Sequence, residues 1–177
     1  MRFVRPGSGA LPLHKVVDRL QSLADEFSLA AGLWRLSRSG RLMLVDVALA
    51  VFETHLHLTV GQRAPLRLGV LGRCIAAHQQ LTSAPLAKAL KGTRWKRQPA
   101  LEQPAAEIEV TRLGGPTLDE GIAIKRITTV AAAIASVVNI NCGVTASMFK
   151  GRHDSKTVFW IVQKTSDLAR RFSPGPF

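Results

Sequence analysis

The hydrophobic pattern changes its period along the chain, and the order of these changes constrains the fold more than any other feature. Residues 13–27 repeat apolar side chains at helical spacing, and so does a later segment that begins with an N-cap at Ser155. Between them, short segments alternate with a period of two, which predicts strands. These predicted strands span 29–36, 42–48, 55–60, 117–124, 125–137 and 144–150.

The predicted strands are joined mainly by turns. "SRSG" at 37–40 and "NINCG" at 139–143 predict hairpins, since Asn and Gly tolerate positive φ. A helix is predicted at 68–79, and shorter helices are predicted near Ser83 and Pro104. The βαβ pattern of a parallel sheet is absent, so we predict the α+β class, with an antiparallel sheet flanked by helices.

Composition fits one domain in a reducing compartment. The chain has 177 residues, of which 46% are hydrophobic, and only two cysteines. Two cysteines are too few for a disulfide scaffold, which predicts the cytoplasm. The apolar run 127–149 is interrupted by polar residues and a glycine, so we interpret it as two strands and expect no membrane partner.

The formal net charge of +12 leaves two interpretations open. A strongly basic domain can bind nucleic acid directly, or it can simply carry a solvated basic surface. The basic residues form separate clusters at 94–97, 150–156 and 170–171, which favours the solvated surface.

Neither a catalytic motif nor a convincing metal site is visible. No G-x-S-x-G occurs, and no Ser or Cys has the spacing to a His that suggests a triad, so we predict neither an enzyme nor a cofactor. His55 and His57 share a strand face, and Cys74 and His78 share a helix face, which leaves a zinc enzyme as the weakest alternative. The two strand histidines point away from their apolar neighbours toward solvent, so no metal is expected.

Two glycines at the start of the predicted helix 68–79 require an explanation, because each costs about 1 kcal/mol in a helix interior. Gly69 and Gly72 remove side chains where a helix presents free N–H groups and a positive dipole end. One interpretation is close approach of a ligand carboxylate. The other is close packing of the helix on the sheet.

The segment around these glycines resembles a known family. "G-x-x-x-PL-x-x-G-x-x-GR-x-x-AA", from Gly61 to Ala77, is similar to the signature of the effector-binding domain of IclR-type transcription regulators. "RLGGPTLDEG", "VAAAI" and "SDLARRFS" follow in the family's order. The resemblance implies a GAF-like fold, a small organic effector, often a carboxylate, and a dimer or tetramer. It also implies DNA binding through an N-terminal winged helix domain.

This resemblance implies a domain organisation and a site. Residues 1–177 would form one effector-binding domain, and residues 1–12 would be the remnant of a linker to a DNA-binding domain absent from this chain. DNA would then be bound only through that separate domain. The ligand-binding residues that the resemblance implies are Leu56, Gly69, Val70, Leu71, Asp119, Ile127, Thr129, Ser147 and Phe149.

Overall fold

The computed structural model describes residues 13–37, 40–51, 56–65, 69–78, 116–121, 124–134 and 142–173. The helices in these ranges are α1 (Leu13–Phe27), α2 (Gly69–His78) and α3 (Ser155–Phe172). The strands are β1 (Ala30–Leu36), β2 (Arg41–Leu49), β3 (Arg63–Pro65), β4 (Thr117–Glu120), β5 (Ile127–Ile134) and β6 (Cys142–Phe149).

The strands form one six-stranded sheet in the order β3-β2-β1-β6-β5-β4. Every neighbouring pair is antiparallel, which confirms the predicted α+β class. The two central strands come from opposite halves of the chain, since Ala30 of β1 is paired with Ser147 of β6. The sheet is therefore complete only when both halves of the chain have come together.

One face of the sheet is covered by α1 and α3. Successive residues of a strand point to opposite faces, so only alternate residues of β5 and β6 contribute here. The helices bring buried apolar side chains that recur at helical spacing. This larger core includes Val16, Leu20, Leu23, Leu33, Val130, Ala132, Val144, Ala146, Met148, Ile161 and Leu168.

The other face of the sheet is partly covered by α2. Val70, Leu71 and Ile75 of this helix join a second, smaller core with Trp34, Leu42, Leu44 and Ala131. The helix approaches β6 so closely that a side chain at Gly143 would collide with the side chain of Leu71. The α2 face is the one that carries the cavity described below.

The prediction of a third strand at 55–60 is wrong for residues 56–60, which are the part of this segment that the structure describes. Residues 56–60 form no ladder, and His55 lies outside the described residues. The chain turns at Gly61, which has a φ of +87° and donates its N–H to the carbonyl of Leu44. The third strand is instead Arg63–Pro65, at the edge of the sheet. A proline is tolerated at an edge, because its lack of an N–H does not interrupt the hydrogen bonds between strands there.

The N-cap of α3 also differs from the prediction, by one residue. Asp154, not Ser155, precedes the helix, and its carboxylate accepts a hydrogen bond from the backbone N–H of Thr157 at 2.7 Å. Hydrogen bonds from the side chain and the backbone of Thr157 hold the pKa of Asp154 below its ordinary value. The helices predicted near Ser83 and Pro104 lie outside the described residues, as does 139–141 of the second predicted turn.

Among the described helices, none has the length and apolar composition needed to cross a membrane.

Candidate functional site

A cavity of about 160 Å³ lies between the start of α2 and the sheet face that this helix partly covers. One side of it is closed by Leu58 and Gln62, which precede β3, and by Ala64 of β3 itself. The remaining lining residues are Trp34, Leu42, Gly69, Val70, Leu71, Asp119, Ile124, Ile127, Thr129, Thr145 and Ser147. Most of these side chains are apolar, with a few hydroxyls and one carboxylate among them.

Seven of the nine residues implied by the family resemblance line this cavity: Gly69, Val70, Leu71, Asp119, Ile127, Thr129 and Ser147. Leu56 and Phe149 are not part of the lining. Leu58, two residues after Leu56, lies at the cavity instead. Phe149 is paired with Ile127 at the end of β6 and is 37% exposed, so a contact between Phe149 and a ligand in the cavity is not supported.

The backbone conformation at the start of α2 explains why residue 69 is a glycine. This residue has a φ of +81°, which side-chain-bearing residues adopt only at a cost of roughly 1–2 kcal/mol. The glycine therefore allows the chain to turn into the helix, in addition to leaving open space at the cavity. Val70 and Leu71, which follow it, are buried and form an apolar wall. Gly72 is buried within the helix.

Three polar side chains lie side by side across the edge of the sheet. Asp119 of β4 is paired with Thr129 of β5, and Thr129 is paired with Ser147 of β6. The hydroxyl oxygens of Thr129 and Ser147 are 3.2 Å apart and share a hydrogen bond. Because a hydroxyl can both donate and accept, this pair offers a polar partner within an otherwise apolar wall.

A second hydrogen bond lies on the same face of the sheet, between β1 and β6. The indole Nε1 of Trp34 donates to Oγ1 of Thr145 at 3.0 Å, and both side chains are buried. The register between β1 and β2 shifts between Leu33 and Trp34, as at a β-bulge. Sequence reasoning missed Trp34 and Thr145. The available signal was that a buried Trp needs a partner for its N–H.

Asp119, which the family resemblance implied as a ligand-binding residue, is buried. It is 3% exposed, and its Oδ2 lies 3.5 Å from Nη2 of Arg73, which is equally buried. Its Oδ1 accepts a hydrogen bond from the backbone N–H of Gly121 at 2.9 Å. The carboxylate therefore connects α2 to β4 as well as contributing to the lining.

The residues of the zinc alternative do not form a group in the described part of the chain. Cys74 is buried, and burial raises the pKa of its thiol to about 11, opposed by hydrogen bonds to Ala133 and Thr117. His57 is exposed, whereas His55 and the side chain of His78 lie outside the described residues. Within the described ranges, no cluster of three or more His, Cys, Asp or Glu residues has metal-binding geometry.

Comparison with known protein families gives one match over most of the chain. The family model for the C-terminal domain of the bacterial transcriptional regulator IclR matches residues 13–174. Comparison with curated protein sequences gives no significant match.

Solved structures show the same fold at low sequence identity. An IclR transcriptional regulator from Alicyclobacillus acidocaldarius is 17% identical with a TM-score of 0.78, and the match covers 94% of this chain and 68% of that protein. The repressor BlcR from Agobacterium tumefaciens is 15% identical with a TM-score of 0.71, over 89% of this chain and 65% of that one. The chain thus spans about two thirds of these two proteins.

A third similar structure is an isolated domain. The C-terminal domain of the E. coli transcriptional regulator KdgR is 16% identical with a TM-score of 0.68, and the match covers 91% of this chain and 96% of that domain. The first and third of these proteins are transcriptional regulators, and the second is a repressor. Together with the six-stranded antiparallel sheet, the match over residues 13–174 shows that this chain belongs to the IclR family, as the C-terminal domain of a transcriptional regulator.

Proposed function

We propose that this domain senses a small organic acid, which binds in the cavity beside α2, and that it has no enzymatic activity. The single observation that carries the proposal is the cavity itself. It joins an apolar lining, a pair of hydroxyls and the N-terminus of a helix in one place. Binding pockets for small molecules commonly combine these features.

The helix start is the proposed position of the ligand carboxylate. The first N–H groups of a helix have no partner within the helix, and they lie at the positive end of its dipole. Gly69 lines the cavity at this point without a side chain. A carboxylate near the amides of Val70 and Leu71 would receive hydrogen bonds there, while its apolar body contacts Ile127 and the other apolar lining.

The volume of the cavity limits the size of the ligand. An engineered apolar cavity of about 150 Å³ accommodates benzene, so 160 Å³ suits an acid of about six or seven heavy atoms. Filling apolar space is worth about 24 cal/mol per Å³, which gives roughly 4 kcal/mol for this cavity and a Kd near 1 mM. A tighter effector must therefore gain its affinity from polar contacts with the helix start, Thr129 and Ser147.

The proposed regulation is a shift between conformations of the whole regulator. The effector would favour one arrangement of the subunits of a homo-oligomer, and so one spacing of separate winged helix domains that contact DNA. Phe159 and Trp160 of α3 are 55% and 50% exposed and form an edge-to-face pair, which makes them candidates for a subunit contact. Within the described part of the chain, Cys74 and Cys142 form no disulfide, which supports the proposed cytoplasmic location.

Calorimetry and thermal melts with a panel of small acids test the proposal. The panel contains linear and aromatic carboxylic acids of four to nine heavy atoms, with the amide of each acid as a control for the charge. Ser147→Leu should abolish binding, because the added atoms fill the cavity. Phe149→Leu is the matched control on the same strand, and it should leave binding unchanged because Phe149 lies outside the cavity.

Three results would contradict the proposal. They are the absence of binding by every acid at several millimolar, equal binding of acids and amides, and loss of binding with Phe149→Leu but not with Ser147→Leu. Light scattering tests the oligomer separately, and a strict monomer at tens of micromolar would contradict that part.

A further inference from the structure

A basic groove lies between α1 and α3, which cover the sheet face opposite to the cavity. Its volume is about 710 Å³. Four lining residues belong to α1, namely Lys15, Asp18, Arg19 and Ser22, of which the first three lie in its first half. Arg171 and Phe172 belong to the last turn of α3. The groove therefore lies where the beginning of one helix meets the end of the other.

The three cations of this groove have no acidic partner among the residues that the structure describes. Lys15, Arg19 and Arg171 are exposed, and within the described residues none of them takes part in an ion pair. Other basic residues of α3 differ, since Lys164 is paired with Glu26 and Arg170 is paired with Asp167. Among the described residues, the groove thus concentrates positive charge without ion-pair partners, and the carboxylate of Asp18 is the acidic group in its described lining.

The arrangement suits an extended polyanion better than a small anion. Lys15 and Arg19 are four residues apart on α1, so they lie on one face at successive turns, and Arg171 adds a third charge from α3. All three are long, exposed side chains, and no buried polar group lines the groove to hold a single ion. Contacts of this kind are typical of phosphate backbones, which position a duplex without reading its sequence.

We propose that this groove binds the phosphate backbone of duplex DNA without sequence preference. Charge complementarity carries the proposal, together with a formal net charge of +12 on the chain. It goes beyond the proposed sensing of an effector, because the contact involves neither the cavity nor a ligand. A separate support rests on the proposed function: a DNA-binding domain attached before α1 would bring DNA to the end of α1 that carries Lys15.

The test measures how the affinity for DNA depends on salt. A fluorescent duplex of 20 base pairs is titrated with the chain by anisotropy at several NaCl concentrations from 50 to 200 mM. The triple variant Lys15→Gln, Arg19→Gln, Arg171→Gln should lose three phosphate contacts, each of which contributes a slope of about −0.9 in log K against log salt. The wild-type affinity should therefore fall about 40-fold more than the variant's over this range.

A matched variant separates the groove from the overall charge. Arg41→Gln, Arg63→Gln, Lys156→Gln removes the same number of exposed cations from outside the groove, and it should keep most of the wild-type slope. Asp18→Asn should strengthen binding, since it removes the carboxylate of the described lining. Thermal melts of each variant confirm that it is folded.

Four results would overturn the proposal. They are the absence of binding by the wild type at 50 mM NaCl, an equal loss of slope in both triple variants, tighter binding to polyglutamate than to the duplex, and a thousandfold preference between two unrelated duplexes. The third would identify an acidic protein surface as the partner, and the fourth would show that the domain reads sequence. None of these measurements involves an effector, so they are independent of the experiment on the cavity.

Discussion

Replacing Asp119 by Asn should destabilise the domain strongly, because Asp119 forms a buried ion pair with Arg73. Both side chains are 3% exposed and the closest N–O distance is 3.5 Å. At this distance two unit charges attract each other by about 5 kcal/mol at an effective dielectric constant of about 20. Removing one member of a buried pair costs about 3–5 kcal/mol in other proteins, because the remaining charge stays buried. For a chain of this size the loss corresponds to a Tm lower by roughly 6–20 °C.

Urea unfolding of four variants measures this loss, namely Asp119→Asn, Arg73→Met, a double variant of these two positions and a control. Asp167→Asn is the control: its partner Arg170 is closer, at 2.6 Å, but the two side chains are 65% and 67% exposed. Water screens such a pair, so we expect a loss below about 1 kcal/mol. The double variant Arg73→Met, Asp119→Leu should cost less than Asp119→Asn alone, because no charge remains buried.

The reasoning would be refuted if Asp119→Asn cost no more than the Asp167→Asn control. It would also be refuted if the double variant were at least as unstable as the sum of Asp119→Asn and Arg73→Met. Either result would mean that burial does not amplify the interaction, and that Asp119 does not hold α2 against β4.

Three further predictions concern single residues of the site and its supports. Gly69→Asn should lower the free energy of unfolding by about 1 kcal/mol or less, and Gly69→Val should lower it by at least about 1–2 kcal/mol more. The reason is that Asn tolerates the φ of +81°, whereas a β-branched residue does not. Equal losses in urea unfolding would contradict this. Thr145→Val removes the acceptor of the Trp34 indole N–H, so it should lower the free energy of unfolding by about 1–3 kcal/mol and change the fluorescence of Trp34. An unchanged stability would count against the hydrogen bond. The unfolding free energy of the wild type should fall by up to about 3 kcal/mol as the pH rises from 9 to 11. The pKa of the Cys74 thiol is about 11 in the folded state and 9.0 when the thiol is exposed. The unfolded protein therefore loses this proton first, which favours unfolding as the pH rises. The Cys74→Ala variant should lack this part of the pH dependence, and identical profiles of the two proteins would disprove it.

Local pattern in the sequence predicted most of the described secondary structure. The helical spacing of Val16, Leu20 and Leu23 places α1, and the alternation on either side of 37–40 places β1 and β2. The same alternation failed at 56–60, where Leu56, Leu58 and Val60 keep the pattern but pair with no strand. Alternation shows which side chains share a face, and it does not show whether a neighbouring strand supplies hydrogen bonds.

The candidate site was predicted less completely, and for a different reason. Its residues were inferred from a family resemblance, while contacts between distant segments were not visible in the sequence. Trp34 and Thr145 are 111 positions apart, and Arg73 and Asp119 are 46 apart. Spacing predicts which residues neighbour each other within one element, but these contacts depend on the strand order and on where α2 lies. The burial of Asp119 follows from both.

The division of β5 and β6 between two cores has a consequence for how the preference of the proposed ligand site can change. Thr129 and Ser147 face the cavity, while their immediate neighbours Val130 and Ala146 belong to the larger core beneath α1 and α3. Substitutions at alternate positions are therefore nearly independent in their effects on stability and on the cavity. A library randomised at the cavity-facing positions alone would vary the shape and polarity of the cavity, and it would leave the larger core beneath α1 and α3 unchanged. Such a sheet can acquire new ligands through few substitutions, each of which leaves the larger core intact.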